Sequence, residues 1–158
     1  MSINTIHTLV REYPEKVREA LAAYEQTQAG KDRLSCSADI VKLLPKKFRE
    51  SKQEHFLVIC LDNRNNLLEV IEVHRGGVDE IRVDPRCVFR AALACSGCTR
   101  FIVAHNHPSG DPMPSEQDKT LSKRLVEGSK LLGLPIIDDI VLAENTYVSF
   151  CDFGLLVH

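Results

Sequence analysis

Hydrophobic residues are concentrated in short runs that have the length of β-strands. Such runs predict strands at residues 55–61, 67–74, 80–83, 99–104, 136–142 and 147–150. The first two runs are separated by a polar turn of Asp and Asn residues, so they are expected to form a hairpin. Between the other runs, apolar residues recur with the helical period, which predicts helices packed against a sheet.

The predicted helices have recognisable ends. They cover residues 37–44, a segment that begins at Pro85 and ends at Gly97, and residues 116–132. Asp84 before Pro85 is typical of a helix start, an N-cap followed by proline at the first helical position. The third helix is expected to turn Leu121, Leu125 and Leu132 inward and to end at Gly133.

The order of these elements predicts an α/β fold, a mixed sheet flanked by helices. The chain has 158 residues, enough for one ordinary domain, which we assign to residues 35–158. Residues 1–34 are predicted to be a helical extension, with Pro14 near its start. The sequence leaves three roles open for this extension: a packing arm, a homodimer contact or a link from an upstream domain.

Charge and composition argue against some classes of partner. The formal net charge of −2 gives no electrostatic case for binding nucleic acid or an anionic membrane. No run approaches the ~18 apolar residues that a membrane-spanning helix needs. The N-terminus does not have the pattern of a signal peptide. We therefore predict a cytoplasmic protein whose six cysteines are reduced.

Two of the cysteines, Cys95 and Cys98, form a Cys-x-x-Cys pair. This spacing fits a redox pair or half of a metal site, but no second pair in the sequence completes it, and ordinary thiols are the simpler interpretation. Cys60 lies in an apolar run, which is typical of a small buried hydrophobic residue.

The candidate chemistry is concentrated between residues 105 and 118. Because residues i and i+2 of an extended chain point the same way, His105 and His107 can present both imidazoles to one point. Ser115 has the position of a helix N-cap, which places Asp118 in the first turn, at the positive end of the helix dipole. Two imidazoles and a carboxylate suit Zn²⁺, and three protein ligands leave a fourth position for water, as in catalytic zinc sites.

Each half of this pattern is weak by itself. A lone His-x-His pair most often binds nothing, and a lone Ser-x-x-Asp is usually a capping box. The combination is far more specific, because His-x-His-Pro closes an apolar strand and Ser-x-x-Asp then opens a helix. The loop between them, with three prolines and a glycine, is stiff and suited to holding ligands rigidly. We therefore predict that His105, His107 and Asp118 bind one Zn²⁺, with Ser115 beside them.

Hydrolysis by an activated water also needs a group that accepts its proton. Four glutamates upstream of the histidines are candidates: Glu54, Glu69, Glu72 and Glu80. Glu54 stands at the entrance of a buried strand, from which its side chain can reach the end of a neighbouring strand. We predict Glu54 as the base, with Glu72 as the second choice.

These residues resemble the pattern of the JAMM (MPN+) metalloprotease superfamily: an upstream glutamate, His-x-His, seven residues, Ser, two residues and Asp. The spacing from His105 to Asp118 matches without gaps. Residues 104–112, Ala-His-Asn-His-Pro-Ser-Gly-Asp-Pro, are similar to the signature of the RadC-like branch, and the likeness covers roughly residues 35–156. One departure is Asp138-Asp139, where that branch commonly has Asp-His.

The resemblance implies a zinc-dependent peptidase or isopeptidase with the JAMM fold, which is related to the cytidine deaminase architecture. Glu54 would accept and pass on the proton, and Ser115 would donate to the developing oxyanion. The substrate that the resemblance implies is a peptide or a ubiquitin-like protein conjugate.

Functions of other classes make different demands on the sequence. A nucleobase deaminase needs His-x-Glu and a later Pro-Cys-x-x-Cys, which this sequence does not contain. A nuclease of the His-Asn-His type needs a basic surface, against which the net charge argues. The alternative that stays open is a non-catalytic JAMM-fold scaffold or a DNA-repair-associated protein of the RadC type.

Overall fold

The structure, a computed structural model, describes residues 33–76 and 83–156. Its helices are α1 (Ser37–Leu43), α2 (Lys46–Arg49), α3 (Pro85–Ala94) and α4 (Glu116–Leu132). Its strands are β1 (His55–Leu61), β2 (Leu67–Arg75), β3 (Arg100–Asn106), β4 (Ile136–Leu142) and β5 (Tyr147–Ser149). The predicted N-terminal helix and all but the last residue of the predicted strand at 80–83 lie outside the described residues.

The strands form one sheet in the order β2-β1-β3-β4-β5. β1 runs antiparallel to both β2 and β3, whereas β3 and β4 are parallel and are joined through α4. A parallel pair needs such a crossover, because a tight turn cannot return the chain to the same end of the sheet. The predicted mixed sheet with flanking helices is therefore confirmed.

The main hydrophobic core lies on one face of the sheet, beneath α3 and α4. Alternate residues of the central strands, such as Val58 and Val103, meet Val88 of α3 and Leu125 of α4 there, and all four are buried. Each Å² of apolar surface that is removed from water contributes about 25 cal/mol to folding, so this contact is a main source of stability. No helix within the described residues combines the length and hydrophobicity that crossing a bilayer requires.

The prediction for α4 is correct in its bounds and wrong in one inward residue. Leu125 is buried, but Leu132 is 47% exposed. The physical reason is the left-handed conformation of Gly133 (φ 62°), which turns the chain back towards the sheet. Leu134 then enters the core, and its amide donates to the Ser129 carbonyl at 3.1 Å, so Leu134 takes the place predicted for Leu132.

Candidate metal centre

The two histidines are placed by the end of the central strand β3. The sequence predicted that this strand ends at residue 104, but β3 continues to Asn106, because β4 pairs with it as far as Leu142. The amide of His107 donates to the Leu142 carbonyl at 2.8 Å, which extends the pairing by one residue. The sheet backbone therefore fixes both histidines.

Three side chains with potential ligand atoms meet at this strand end. The two Nε2 atoms of His105 and His107 are 3.1 Å apart. Asp118 Oδ1 lies 3.4 Å from His105 Nε2, and Asp118 Oδ2 lies 3.4 Å from His107 Nε2. In the part of the chain that the structure describes, these three side chains form a group that could hold a metal ion, since one ligand atom from each lies within 4.8 Å of the others.

The opposite nitrogens of the two imidazoles differ in their surroundings. His107 Nδ1 lies 2.8 Å from the Asp111 carbonyl oxygen, which can only accept a hydrogen bond. The proton of a neutral His107 is therefore on Nδ1, and its Nε2 lone pair faces the centre. His105 Nδ1 is buried and has no hydrogen-bond partner among the described residues, while its ring stacks on Phe56 with centroids 5.5 Å apart.

Asp118 is fixed by the first turn of α4. Its Oδ2 accepts hydrogen bonds from the Ser115 amide at 2.7 Å and from the Ser115 hydroxyl at 2.6 Å. The Asp118 amide donates in return to Ser115 Oγ at 3.1 Å, which completes the capping box. The Ser115 hydroxyl is thus directed at the carboxylate that it was predicted to accompany.

The contacts at the centre shift the pKa values of His107 and Asp118 in opposite directions. The hydrogen bond with Asp118 raises the pKa of His107; burial opposes this shift, and the negative charge of Glu54 adds to it. Burial disfavours ionisation of Asp118, but the contacts with His105, His107 and Ser115 outweigh it and hold the pKa of Asp118 well below its usual range. The centre therefore holds an ionised carboxylate between two imidazoles.

Asn106, between the two histidines, is a residue that the sequence argument did not single out. Its Oδ1 accepts from the His55 amide at 2.7 Å, and its Nδ2 donates to the carbonyls of Ser51 and Gln53 at 3.3 and 3.0 Å. These bonds tie the segment that carries the half-buried Glu54 to the end of β3. A polar residue at the end of an apolar strand was the sequence feature that could have indicated this role of Asn106.

Comparison with known proteins agrees with this arrangement. The family described as the RadC-like JAB domain matches residues 34–155. The chain belongs to that family. JAB domains share the fold in which these histidines and Asp118 converge, so the resemblance seen in the sequence is confirmed at the level of family and fold.

The relatives of this RadC-like JAB domain carry the name UPF0758 protein. That of Methanosarcina barkeri is 42% identical over 118 residues, which cover 75% of this chain and 51% of the relative. That of Methanosarcina mazei is 41% identical over 126 residues, covering 80% of this chain and 55% of the relative. That of Clostridium perfringens is 31% identical over 138 residues, covering 87% and 60%. The chain thus spans about half the length of the first two.

The other predicted bases are engaged elsewhere or not described. The Glu72 carboxylate contacts His55 Nδ1 and accepts from Arg75 Nη2 at 2.8 Å. Burial disfavours ionisation of Glu72, but these two contacts prevail and lower its pKa to about 2. Glu69 lies beside Cys95, on the core face of β2. Glu80 lies outside the described residues.

A cleft of about 310 Å³ opens beside His107. Its walls combine the α2 region with the loop after β3 and are formed by Arg49, Glu50, Ser51, Lys52, His107, Pro108, Ser109, Gly110 and Glu144. Arg49 Nε is buried and has no hydrogen-bond partner among the described residues. Two basic residues, Arg49 and Lys52, therefore line the cleft beside His107.

Two neighbouring aspartates lie buried on β4. Asp138 Oδ2 accepts from the Ser149 hydroxyl at 2.7 Å, and its Oδ1 accepts from the amides of Cys151 and Asp139 at 3.0 and 2.8 Å. Asp139 Oδ1, by contrast, is buried without a partner among the described residues. Complete burial raises the pKa of Asp139 to about 7, although the nearby His105 opposes the shift.

The Cys-x-x-Cys pair has a third neighbour that sequence spacing could not reveal. Cys60 of β1 lies beside Cys95 and Cys98, and all three thiols are free. The contacts with Cys60 and Cys95 lower the pKa of Cys98 to about 3, because neighbouring S–H groups stabilise its thiolate. This cluster lies within the main core, separate from the His-His-Asp centre.

Proposed function

We propose that this RadC-like JAB domain is a zinc-dependent metallopeptidase or isopeptidase that hydrolyses an amide bond. The observation that carries the proposal is the convergence of three side chains: the two imidazole Nε2 atoms are 3.1 Å apart, and each lies 3.4 Å from a different carboxylate oxygen of Asp118. Tetrahedral zinc with bonds of about 2.0–2.1 Å needs ligand atoms about 3.3–3.4 Å apart. The separations of these donors are close to that value, which supports the binding of one ion by the three side chains.

The residues divide the work of hydrolysis in this proposal. When bound, zinc would supply the Lewis acidity that activates a water near neutral pH. Glu54 accepts the proton of the attacking water and passes it to the leaving amine. Its half-buried position and its charge interaction with His107 support this role.

Ser115 has two tasks in the proposed reaction. Its hydroxyl orients Asp118, and it would donate to the oxyanion of the substrate after releasing the 2.6 Å bond to Asp118. The backbone amide of Ser115, at 2.7 Å from the same oxygen, would keep Asp118 in place during that exchange.

The proposed substrate is a peptide or a ubiquitin-like protein conjugate. The cleft beside His107 supports this class, because its polar lining suits an extended polypeptide backbone and its volume extends beyond a single side chain. Arg49 and Lys52 would favour an acidic group of the substrate on that side.

A non-catalytic scaffold is the second candidate, and one observation favours it. The capping box of α4 accounts for Ser115 and Asp118 without any metal. The scaffold does not account for two imidazoles whose Nε2 atoms face this carboxylate, nor for the anchoring of the Glu54 segment on the same strand end.

Metal content and hydrolysis measured together test the proposal. We expect about one zinc per chain in the parent protein and in Glu54→Gln. The parent should hydrolyse members of a panel of peptides and ubiquitin-like conjugates, whereas Glu54→Gln should not. Glu69→Gln is the matched control: a half-buried glutamate of β2, remote from the centre, whose loss should preserve both properties.

Two results would contradict the proposal in different ways. A parent protein that contains no zinc and takes up none when it is added would support the metal-free scaffold. A parent that binds zinc through His105 and His107 but cleaves no member of the panel would be a metal-bearing scaffold.

A further inference from the structure

We infer that Asp139 is a positioning residue, which holds the His105 imidazole for the metal by accepting a hydrogen bond from Nδ1. This inference rests on the metal binding proposed above and goes beyond it, because Asp139 is not one of the ligands. It assigns a role to a buried carboxylate that the capping, pairing and packing of β4 do not require.

The register of the sheet places Asp139 beside the His105 side chain. In the parallel pair of β3 and β4, Val103 is opposite Asp139 and His105 is opposite Val141. Opposite residues of paired strands have side chains on the same face, and residues two apart share that face. Asp139 and His105 therefore both point to the face that α4 covers.

The two side chains have complementary unsatisfied atoms. His105 Nδ1 and Asp139 Oδ1 are both buried, and neither has a hydrogen-bond partner among the described residues. Their residues are 1% exposed. Most buried polar groups in folded proteins are paired, because an unpaired one costs about 1–3 kcal/mol. Two such atoms on neighbouring positions of one face indicate a pair that forms when the imidazole is held in place.

Metal binding at Nε2 supplies that condition. A neutral imidazole that binds a metal through Nε2 carries its proton on Nδ1 and needs an acceptor there. For His107 the acceptor is the Asp111 carbonyl. For His105 the buried carboxylate on its own face is the group that can act in the same way, and the Ser122 hydroxyl, also buried and without a partner, lies beside it.

The adjacent residue shows what a structural aspartate looks like here. Asp138 accepts three hydrogen bonds, from Ser149, Cys151 and the Asp139 amide. Its carboxylate holds the chain after β5 against β4. We therefore expect different effects from the two neighbours. Replacement of Asp138 should lower the stability of the fold, whereas replacement of Asp139 should weaken metal binding.

Zinc affinity and thermal stability of the full chain separate these roles. We expect Asp139→Leu to weaken zinc binding about 10–100-fold in competition with a chelator. Asp139→Asn, whose amide oxygen can still accept, should lose less. The Tm of the metal-free Asp139 variants should equal or exceed that of the parent, because an unpaired buried carboxyl has been removed. Asp138→Asn should lower the Tm and preserve zinc affinity.

A spectroscopic signal tests the hydrogen bond itself. In the zinc-loaded parent, we expect a slowly exchanging Nδ1 proton of His105 in the imidazole region of the NMR spectrum, and its loss in Asp139→Leu. Asp139 variants that bind zinc as tightly as the parent would overturn the inference alone. A parent that binds no zinc would overturn both the inference and the proposed function.

Discussion

Asn106 accepts a hydrogen bond from the His55 amide at 2.7 Å and so joins the strand end that carries both histidines to the segment that carries Glu54. Its Nδ2 donates to the Ser51 and Gln53 carbonyls, so one side chain binds the backbone of three alternate residues of that segment. Asn106 itself is fully buried. The position of the proposed base thus depends on a residue whose side chain hydrogen-bonds to the backbone on both sides of Glu54.

Asn106→Leu tests this connection. The substitution keeps the branching at Cγ but leaves the His55 amide and two carbonyls without their partner, at a cost of about 1–3 kcal/mol for each group that stays buried. We expect faster hydrogen exchange at the His55 amide and a loss of hydrolysis, with zinc retained. Asn66→Leu is the control, since Asn66 binds Asp62 in the distant β1–β2 turn. Unchanged exchange at His55 in Asn106→Leu would contradict the assignment.

Ser115→Ala should affect both the helix and the centre. Loss of the N-cap hydroxyl removes the hydrogen bonds with the Asp118 amide and with Asp118 Oδ2, and such caps contribute about 1 kcal/mol. We expect that decrease in the free energy of unfolding of the metal-free protein, measured in urea, and weaker zinc binding. Ser115→Thr, which keeps the hydroxyl, should restore both. Equal unfolding free energies for parent and Ser115→Ala would show that the cap contributes nothing.

The contacts of Glu72 with His55 and Arg75 predict that the stability of the protein depends on pH. The folded state lowers the pKa of Glu72 from 4.5 to about 2, so ionised Glu72 favours folding. This stabilisation is fully present above about pH 4.5 and is lost as the pH falls towards 2. Chemical unfolding from pH 7 to 2 should show a smaller acid-induced decrease in Glu72→Gln. The same decrease in parent and variant would exclude Glu72 as the source.

Gly128 lies where α4 crosses Phe89 of α3. A Cβ atom added at Gly128 would lie 2.6 Å from two atoms of the Phe89 ring, which is closer than real contacts allow. Alanine gains about 1 kcal/mol of helix propensity, but overpacking typically costs 1–3 kcal/mol. We therefore expect Gly128→Ala to lower the Tm. Phe89→Leu in the same protein should recover part of the loss, and additive effects of the two changes would contradict the close contact.

Local spacing made much of the fold and of the site predictable. The apolar runs gave the bounds of β1 and β4 without error, and the capping residues gave those of α4. The same local logic placed His105 and His107 two residues apart on an extended chain, and Asp118 in the first turn of a helix. Each of these predictions concerns residues within one element or across one short loop.

The features that sequence spacing missed depend on partners far along the chain. Asn106 binds a segment 51 to 55 residues away, and Glu72 is held by His55 across two strands. Cys60 joins Cys95 and Cys98 only through the pairing of β1 with its neighbours. None of these contacts follows from a periodicity of 2 or 3.6 residues. Such periods predict the direction of side chains within one element, but they do not predict which other element packs beside it.

The sequence by itself determined the family and the types and order of the candidate ligands, because these depend on residue identity and short spacing. Tertiary structure decided that Glu72 is engaged by His55 and Arg75, that Asp138 is satisfied, and that Asn106 anchors the segment of the proposed base. The physical reason is that strand order and register, set by the burial of whole sheet faces, bring distant side chains together. Asp138 and Asp139 are alike in sequence, and only the sheet makes one a structural residue and leaves the other facing His105.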